Sequence, residues 1–182
     1  DDINSITDLL QTSLLKADIV VTTGGVSVGD YDFVQDVIKD KLKAEVLFHG
    51  VDIKPGMHLL IALKDNKIII ALPGFAYSST VCAILYVLPL IYKFRNSNEK
   101  LPIVKARINE DFRRFQAKTI FTACNVEYIN NEYQINFDGK KSGTSAILTN
   151  MLESPALLIQ KENSQDIKSG DLVDILLLNN IK

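Results

Sequence analysis

The stretch "TTGGVSVGDYDFV", Thr22 to Val34, concentrates groups that can hold an anion. It follows the apolar run "ADIVV". It carries Gly24, Gly25 and Gly29, hydroxyls on Thr23 and Ser27, and the carboxylates of Asp30 and Asp32. Glycines let successive backbone N–H groups converge on an anion, and a helix N-terminus adds a favourable dipole. A tight structural turn would need the same glycines. The spacing matches neither G-x-G-x-x-G nor G-x-x-x-x-G-K-[ST]. From the residues alone, turn and anion site stand level. Asp30 and Asp32 near the start of a helix suit dipole complementation, which is the plainer reading. The sharper reading is a carboxylate pair holding Mg²⁺ beside a phosphate, since two acids next to an anion need a cation between them.

Two Pro-Gly turns add candidates. "IKPG" (Ile53 to Gly56) closes one apolar segment and "LPG" (Leu72 to Gly74) another. Pro followed by Gly suits the central positions of a type II turn. In an open α/β sheet, ligands bind beyond the carboxyl ends of the strands. The Gly loop, Lys54 with Pro55 and Gly56, and Pro73 with Gly74 are therefore expected on one rim. Ser78 is expected at or just before a helix start, placed to cap it or to bind an anion. His49 and His58 flank Lys54 at a spacing poor for a metal, and each reads as a surface or hydrogen-bonded histidine. Arg113, Arg114, Lys140 and Lys141 read as a solvated basic face. No Ser-His-Asp order or Cys-His pairing points to a covalent hydrolase.

The elements that must position these groups follow from periodicity. Ile3, Ile6, Leu9, Leu10 and Leu14 predict a helix over 3–16. "DIVVT" predicts a short buried strand. "YDFVQDVIKDKL" predicts a helix and "AEVLFHGV" a second strand. "LLIALKDNKIIIAL" predicts a hairpin turning at Asp65 and Asn66. "YSSTVCAILYVLPLIYKF" predicts a long helix. The order argues for an α/β class: a largely parallel sheet flanked by helices, with at least one antiparallel strand. "RNSNEKLP" breaks the pattern. Beyond it, "NN" at 130–131 and "DG" at 138–139 separate strand-like segments. The expected domains are residues 1–94, a linker at 95–101, and a small, mostly β domain at 102–182.

The chain has 182 residues, 47% hydrophobic and 23% charged, with net charge -2 and pI about 5.7. That is ordinary globular composition with enough length for a real core. Nothing in the charge demands a nucleic-acid partner. The most apolar run, Val81 to Tyr92, contains Pro89 and is shorter than the roughly 18 residues that span a bilayer. It is expected to be a buried helix, with no membrane partner and a cytoplasmic location. Cys82 and Cys124 fit no zinc spacing and read as reduced thiols.

The ordered set "TTGGVSVGDYDFV", "AEVLFHGVDIKPG", "IIIALPG" and "SS" resembles the MoeA-type molybdopterin molybdenumtransferases over residues 18–80. Residues 102–182 resemble the family's small C-terminal β domain. The resemblance implies a molybdopterin-binding α/β domain lacking its first strand, and a chain that is a C-terminal fragment cut inside that domain. It implies a homodimer, with a molybdopterin adenylyltransferase as a possible partner. The implied activity is molybdenum insertion from molybdate into adenylylated molybdopterin, with Mg²⁺ and release of AMP. The natural parent would carry that activity, and the fragment alone is expected to be inactive. On this resemblance Asp32, Lys54 and Ser27 are catalytic. Thr23, Gly24, Gly25, Ser27, Gly29, Asp30, Pro55, Gly56, Pro73, Gly74 and Ser78 bind the pterin or oxyanion, and Asp32 and Asp30 hold the metal. Phe75 and Ala76 stand where the family usually has Asn and Pro. They motivate an alternative: a non-catalytic molybdopterin-binding or scaffold module of the same fold.

Overall fold

The structure, a computed structural model, describes residues 2–27, 32–114, 116–141, 147–153 and 155–178. The chain divides into two compact units. One comprises Asp1–Val51 and Gly56–Val87; the other comprises Asp52–Pro55 and Leu88–Lys182. Residues 52–55 and 88–101 group with the second unit.

In the first unit, helix α1 (Ile3–Lys16) forms where the apolar spacing predicts it. Its start is fixed by Asp2, whose carboxylate accepts the Ser5 backbone N–H at 2.9 Å and the Ser5 hydroxyl at 2.8 Å. That is the ordinary N-cap device. Leu10 and Leu14 are its buried face. Four strands follow: β1 (Ile19–Thr23), β2 (Glu45–His49), β4 (Leu60–Lys64) and β5 (Lys67–Leu72). Helix α2 (Phe33–Asp36) lies between β1 and β2 and runs on as a wider turn over Val37–Lys41. The sheet order is β1-β5-β4-β2.

Only β1 and β5 are parallel; β5–β4 and β4–β2 are antiparallel. The largely parallel sheet expected from the sequence is therefore a mixed one. The reason is local. Asp65 and Asn66 both adopt left-handed φ (50° and 63°), which closes a two-residue hairpin and forces β4 against its neighbour in sequence. Strand β2 then pairs with β4 through a bulge between Val46 and Phe48. Alternation on the sheet sends Val20, Ala62, Ile69 and Ala71 into one core with Leu10, Leu14, Val37 and Ile38 of the helices. Ile70 and Leu72 point to the other face, where Tyr77, Val81 and Cys82 begin α3 (Ala76–Phe94).

Helix α3 corrects a second expectation. It has 19 residues and a mean hydropathy of 1.3, long and apolar enough by length and composition to cross a membrane. Its buried residues are confined to the first turns, Tyr77 to Cys82, where it contacts β5. From Ala83 onward the side chains are half-buried or exposed, with Phe94 49% exposed. The run Val81 to Tyr92 is thus only partly covered.

The second unit is mostly β, as expected. Strands β6 (Ile103–Ile108), β7 (Thr119–Ile129), β8 (Glu132–Asn136), β9 (Pro155–Gln160) and β10 (Leu172–Leu177) pair in the order β7-β8-β6-β10-β9, and β9 pairs back to β7. The five strands close into a barrel, which removes free edges. Alternate residues fill it: Ala106 and Ile108, Cys124 and Val126, Ile135, Ala156 and Leu158, Val173, Ile175 and Leu177. Strand β3 (Ile53–Lys54) adds in parallel to β7 at Thr119 and Ile120. Of the four basic residues, Arg114 is a structural tie rather than a solvated charge. Its guanidinium donates to the carbonyls of Lys161 and Lys118 and to the Ser164 hydroxyl. Lys140 donates to the Leu152 carbonyl.

Two outcomes follow from this packing. Cys82 and Cys124 are fully buried, and burial pushes each thiol up to about 12. Neither should react with a thiol reagent at pH 8 in the folded chain, and both should react after urea unfolding. Asp174 lies 2.8 Å from the Lys105 ammonium and 3.3 Å from Lys161, which hold its carboxyl below the usual range. A lowered folded value means the stabilisation is complete above the unfolded value near 4 and is lost as pH falls through the folded one. Asp174→Asn should cost about 0.5–1 kcal/mol in urea unfolding at pH 7. It should cost less at pH 3.

Candidate functional site

Because β1 and β5 are parallel, and β2 is related to β5 through two antiparallel steps, β1, β5 and β2 all run the same way. Their carboxyl ends, Thr23, Leu72 and His49, meet one edge of the sheet. The Gly loop leaves that edge from β1 and the LPG turn leaves it from β5. The two are joined directly: the Gly24 N–H donates to the Leu72 carbonyl at 2.9 Å. This is the rim on which an open α/β sheet holds ligands.

Each glycine of the loop has its own reason. Gly24 adopts φ +86° and Gly25 φ +72°, the left-handed region that side chains rarely adopt. At Gly25 there is also no room. An added Cβ would lie 2.5 Å from Val34 Cγ2 and 2.9 Å from Val34 Cβ. Gly25 is therefore where the loop folds back against α2, and its carbonyl accepts the Gln35 N–H at 3.2 Å. Gly74 differs. Its φ is not left-handed, and a Cβ there would meet Gly24 Cα at an ordinary 3.5 Å. The LPG segment is thus no type II turn with glycine at positive φ.

The remaining candidates fall as follows. Thr23 and Ser27 are exposed on the rim, and Val26 between them is buried in the core. Thr22 was not singled out in the sequence, yet its hydroxyl is buried at the base of the loop without a hydrogen-bond partner. Asp32 takes the N-cap position of α2 but makes no side-chain cap, so helix capping is not what its carboxylate does. Gly29 and Asp30 lie outside the described residues. Pro73 is buried and Gly74 exposed. Ser78 is neither a cap nor exposed. Helix α3 begins two residues earlier at Ala76, and Ser78 is 3% exposed, inside the first turn. Ser79 does not cap either; its hydroxyl donates back to the Ala76 carbonyl at 3.1 Å.

Lys54 and Pro55 fold with the second unit, because the Ile53–Lys54 main chain pairs with β7 and the Thr119 N–H donates to the Asp52 carbonyl. The "IKPG" segment is thus a short strand running into a turn. The Lys54–Pro55 peptide is cis, and Gly56 follows at φ +113°. Gly56 belongs to the first unit, where its carbonyl accepts the Leu59 N–H and the Cys82 thiol. His49, read as a hydrogen-bonded or surface residue, is both. It is exposed, and its Nε2 lies 3.3 Å from the Val26 carbonyl. Among the described residues no group of three or more His, Cys, Asp or Glu could hold a metal.

A rim with a glycine loop and the LPG segment at the carboxyl ends of two parallel strands is a place where α/β proteins hold ligands. Comparison with known proteins narrows this. A family profile described as "Probable molybdopterin binding domain" matches residues 1–93. Molybdopterin molybdenumtransferases from Staphylococcus aureus strain Mu50 and Staphylococcus epidermidis strain ATCC 12228 are 31% and 28% identical over 97% of the chain. The chain spans 42% of the length of those relatives. The molybdopterin biosynthesis MoeA protein from Pyrococcus horikosii has the same fold, at TM-score 0.77 and 23% identity over all of this chain and 42% of that one. A second structure, of the MoeA protein from Pyrococcus horikoshii OT3, superposes at TM-score 0.69 with 25% identity, over 97% of this chain and 39% of that one. The chain belongs to the molybdopterin-binding domain family and is of the MoeA type.

The three rim glycines should respond differently to alanine in urea unfolding. Gly25→Ala meets both strain and the Val34 side chain and should cost about 2–4 kcal/mol. Gly24→Ala meets only the left-handed backbone and should cost about 1–2 kcal/mol. Gly74→Ala should stay within about 0.5 kcal/mol.

Proposed function

We propose that the protein acts in molybdenum cofactor biosynthesis, inserting molybdenum from molybdate into adenylylated molybdopterin with release of AMP. The observation that carries this reading is the joined rim. The Gly24–Gly25 loop, held to Leu72 at the carboxyl ends of two parallel strands, belongs to a molybdopterin-binding family. The chemistry needed is ligand exchange at a metal centre. The protein's task is to hold dithiolene and oxyanion together and to offset their charge. In this reading the loop N–H groups beyond Gly24, whose own N–H is held by Leu72, face the pterin phosphate. The hydroxyls of Thr23 and Ser27 donate to the oxyanion, and the buried Thr22 hydroxyl gains a partner when the site fills. Lys54, which folds with the second unit, is given the role of a positive charge by the family resemblance alone. Pro73 and Gly74 shape the wall beside Gly24.

The family resemblance also brings in magnesium. It commonly binds through one or two carboxylates plus substrate phosphate oxygens rather than an all-protein cage. Asp32, unused as a helix cap, and Asp30 would hold it, and it would neutralise the phosphate charge that two acids would otherwise repel. We further read the protein as a cytoplasmic homodimer that receives its substrate from a molybdopterin adenylyltransferase. Two buried free thiols suit a reducing compartment.

A second reading rests on Phe75. It is 61% exposed on the rim and occupies the N-cap position of α3, where it offers no side-chain cap. A site altered in this way would suit a module that binds molybdopterin without inserting metal.

The natural polypeptide carrying these residues, given adenylylated molybdopterin, Mg²⁺ and molybdate, should form molybdenum cofactor and release AMP. Asp32→Asn and Lys54→Ala should each lower turnover about 100-fold. The 182-residue chain alone should bind molybdopterin but not turn over. Molybdopterin binding by the natural polypeptide without AMP release would favour the module. Absence of binding by either form would overturn both readings.

A further inference from the structure

The loop after β1 is held by three successive main-chain anchors. The Gly24 N–H donates to the Leu72 carbonyl, the Gly25 carbonyl accepts from the Gln35 N–H, and the Val26 carbonyl accepts from His49 Nε2 at 3.3 Å. The first two are backbone to backbone and tie the loop to β5 and α2. The third is the one in which a side chain from another strand fixes a peptide. His49 is the last residue of β2, a strand whose carboxyl end reaches the same sheet edge as those of β1 and β5.

The geometry points to His49 as a positioning residue of the anion loop, acting through the Val26–Ser27 peptide. A carbonyl oxygen can only accept, so Nε2 must carry the proton. The neutral ring is then the Nε2–H tautomer. Among the described residues Nδ1 has no partner, so nothing but the Val26 contact selects between the two neutral tautomers. A trans peptide is planar, and its C=O and N–H point in opposite directions. Turning the Val26 carbonyl towards His49 therefore turns the Ser27 N–H away from it. Two left-handed glycines precede this peptide, so the local backbone has little stiffness of its own to set that direction. Val26 fixes only the side-chain end, since it is buried in the core while Ser27 is exposed. His49 thus decides where one N–H donor of the loop aims before any ligand arrives, which is the preorganisation that charge recognition rewards.

The ligand part of this inference rests on the proposed molybdopterin reading; the loop part does not. Both are tested with His49→Ala and His49→Gln in the full chain, since Gln keeps a side-chain N–H donor. In ¹⁵N NMR of the free protein, the wild-type ring should show the Nε2–H tautomer at pH 8. His49→Ala should shift the Ser27 amide resonance, and His49→Gln should bring it back towards wild type. Molybdopterin affinity should fall about 3- to 10-fold in His49→Ala and recover in His49→Gln. An unchanged Ser27 amide in His49→Ala, or an Nδ1–H tautomer in the wild type, overturns the positioning role whether or not a ligand binds. If the Ser27 amide responds as expected and the wild-type chain binds no molybdopterin, the molybdopterin reading fails and the positioning role stands. If the wild type binds and His49→Ala binds equally well, the aim of that N–H is irrelevant to the ligand and the inference is overturned.

Discussion

The parallel pairing of β1 with β5 is the constraint on which the rest of the first unit depends. It runs in register from Ile19 opposite Ile68 to Thr23 opposite Leu72, so both strands end together. Were β1 antiparallel to β5, the Gly loop and the LPG turn would leave opposite edges of the sheet. Ending together, they bring Gly24 N–H within 2.9 Å of the Leu72 carbonyl. That contact in turn requires the chain to reverse sharply just beyond β1. Gly24 and Gly25 do so at left-handed φ, and Val34 leaves no space for a side chain at Gly25.

The antiparallel part of the sheet serves the same rim by a different route. The β4–β5 hairpin sends the chain back along the sheet, and β2 reverses it again, so His49 finishes level with Thr23 and Leu72. A mixed sheet therefore collects three carboxyl ends at one edge with only one parallel pair. The core beneath, from Leu10 and Leu14 of α1 to Val37 and Ile38 beyond α2, holds that edge through burial of Val20, Val26 and Ala71. Val26 links the two roles. Its side chain is part of the core, and its carbonyl is part of the loop's hydrogen bonding.

Much of the fold was legible because it rests on local rules. Helical spacing set α1 at Ile3–Lys16, paired asparagine or aspartate residues marked the hairpins at 65–66 and 130–131, and alternation marked the barrel strands. The misreadings have two causes, long-range pairing for the sheets and a displaced helix start for Ser78. Strand direction between segments distant in sequence depends on which edges are free, so "largely parallel" could not be told from mixed. Strand β3 has two residues and no pattern of its own, and it is a strand only because Thr119 and Ile120 pair with it. Ser78 looked like a cap because serine suits that position, but α3 starts earlier, at Ala76.

For the site, the sequence by itself determined the chemistry available. It supplied glycines after an apolar strand, hydroxyls at Thr23 and Ser27, a carboxylate at Asp32 and a Pro-Gly turn at 73–74, in an order that resembles one family. Those are properties of residue type and spacing, which the chain carries unfolded. Only the tertiary structure decided which of them share an edge. It joined Gly24 to Leu72 and His49 to Val26, and it put Lys54 in a strand of the other sheet. It also showed that Gly25 is demanded by Val34, nine residues away, while Gly74 is demanded by nothing within reach of a Cβ. The physical reason is that hydrogen bonds and steric limits between strands arise from register and direction. Both are fixed by the burial of a whole sheet rather than by any one segment.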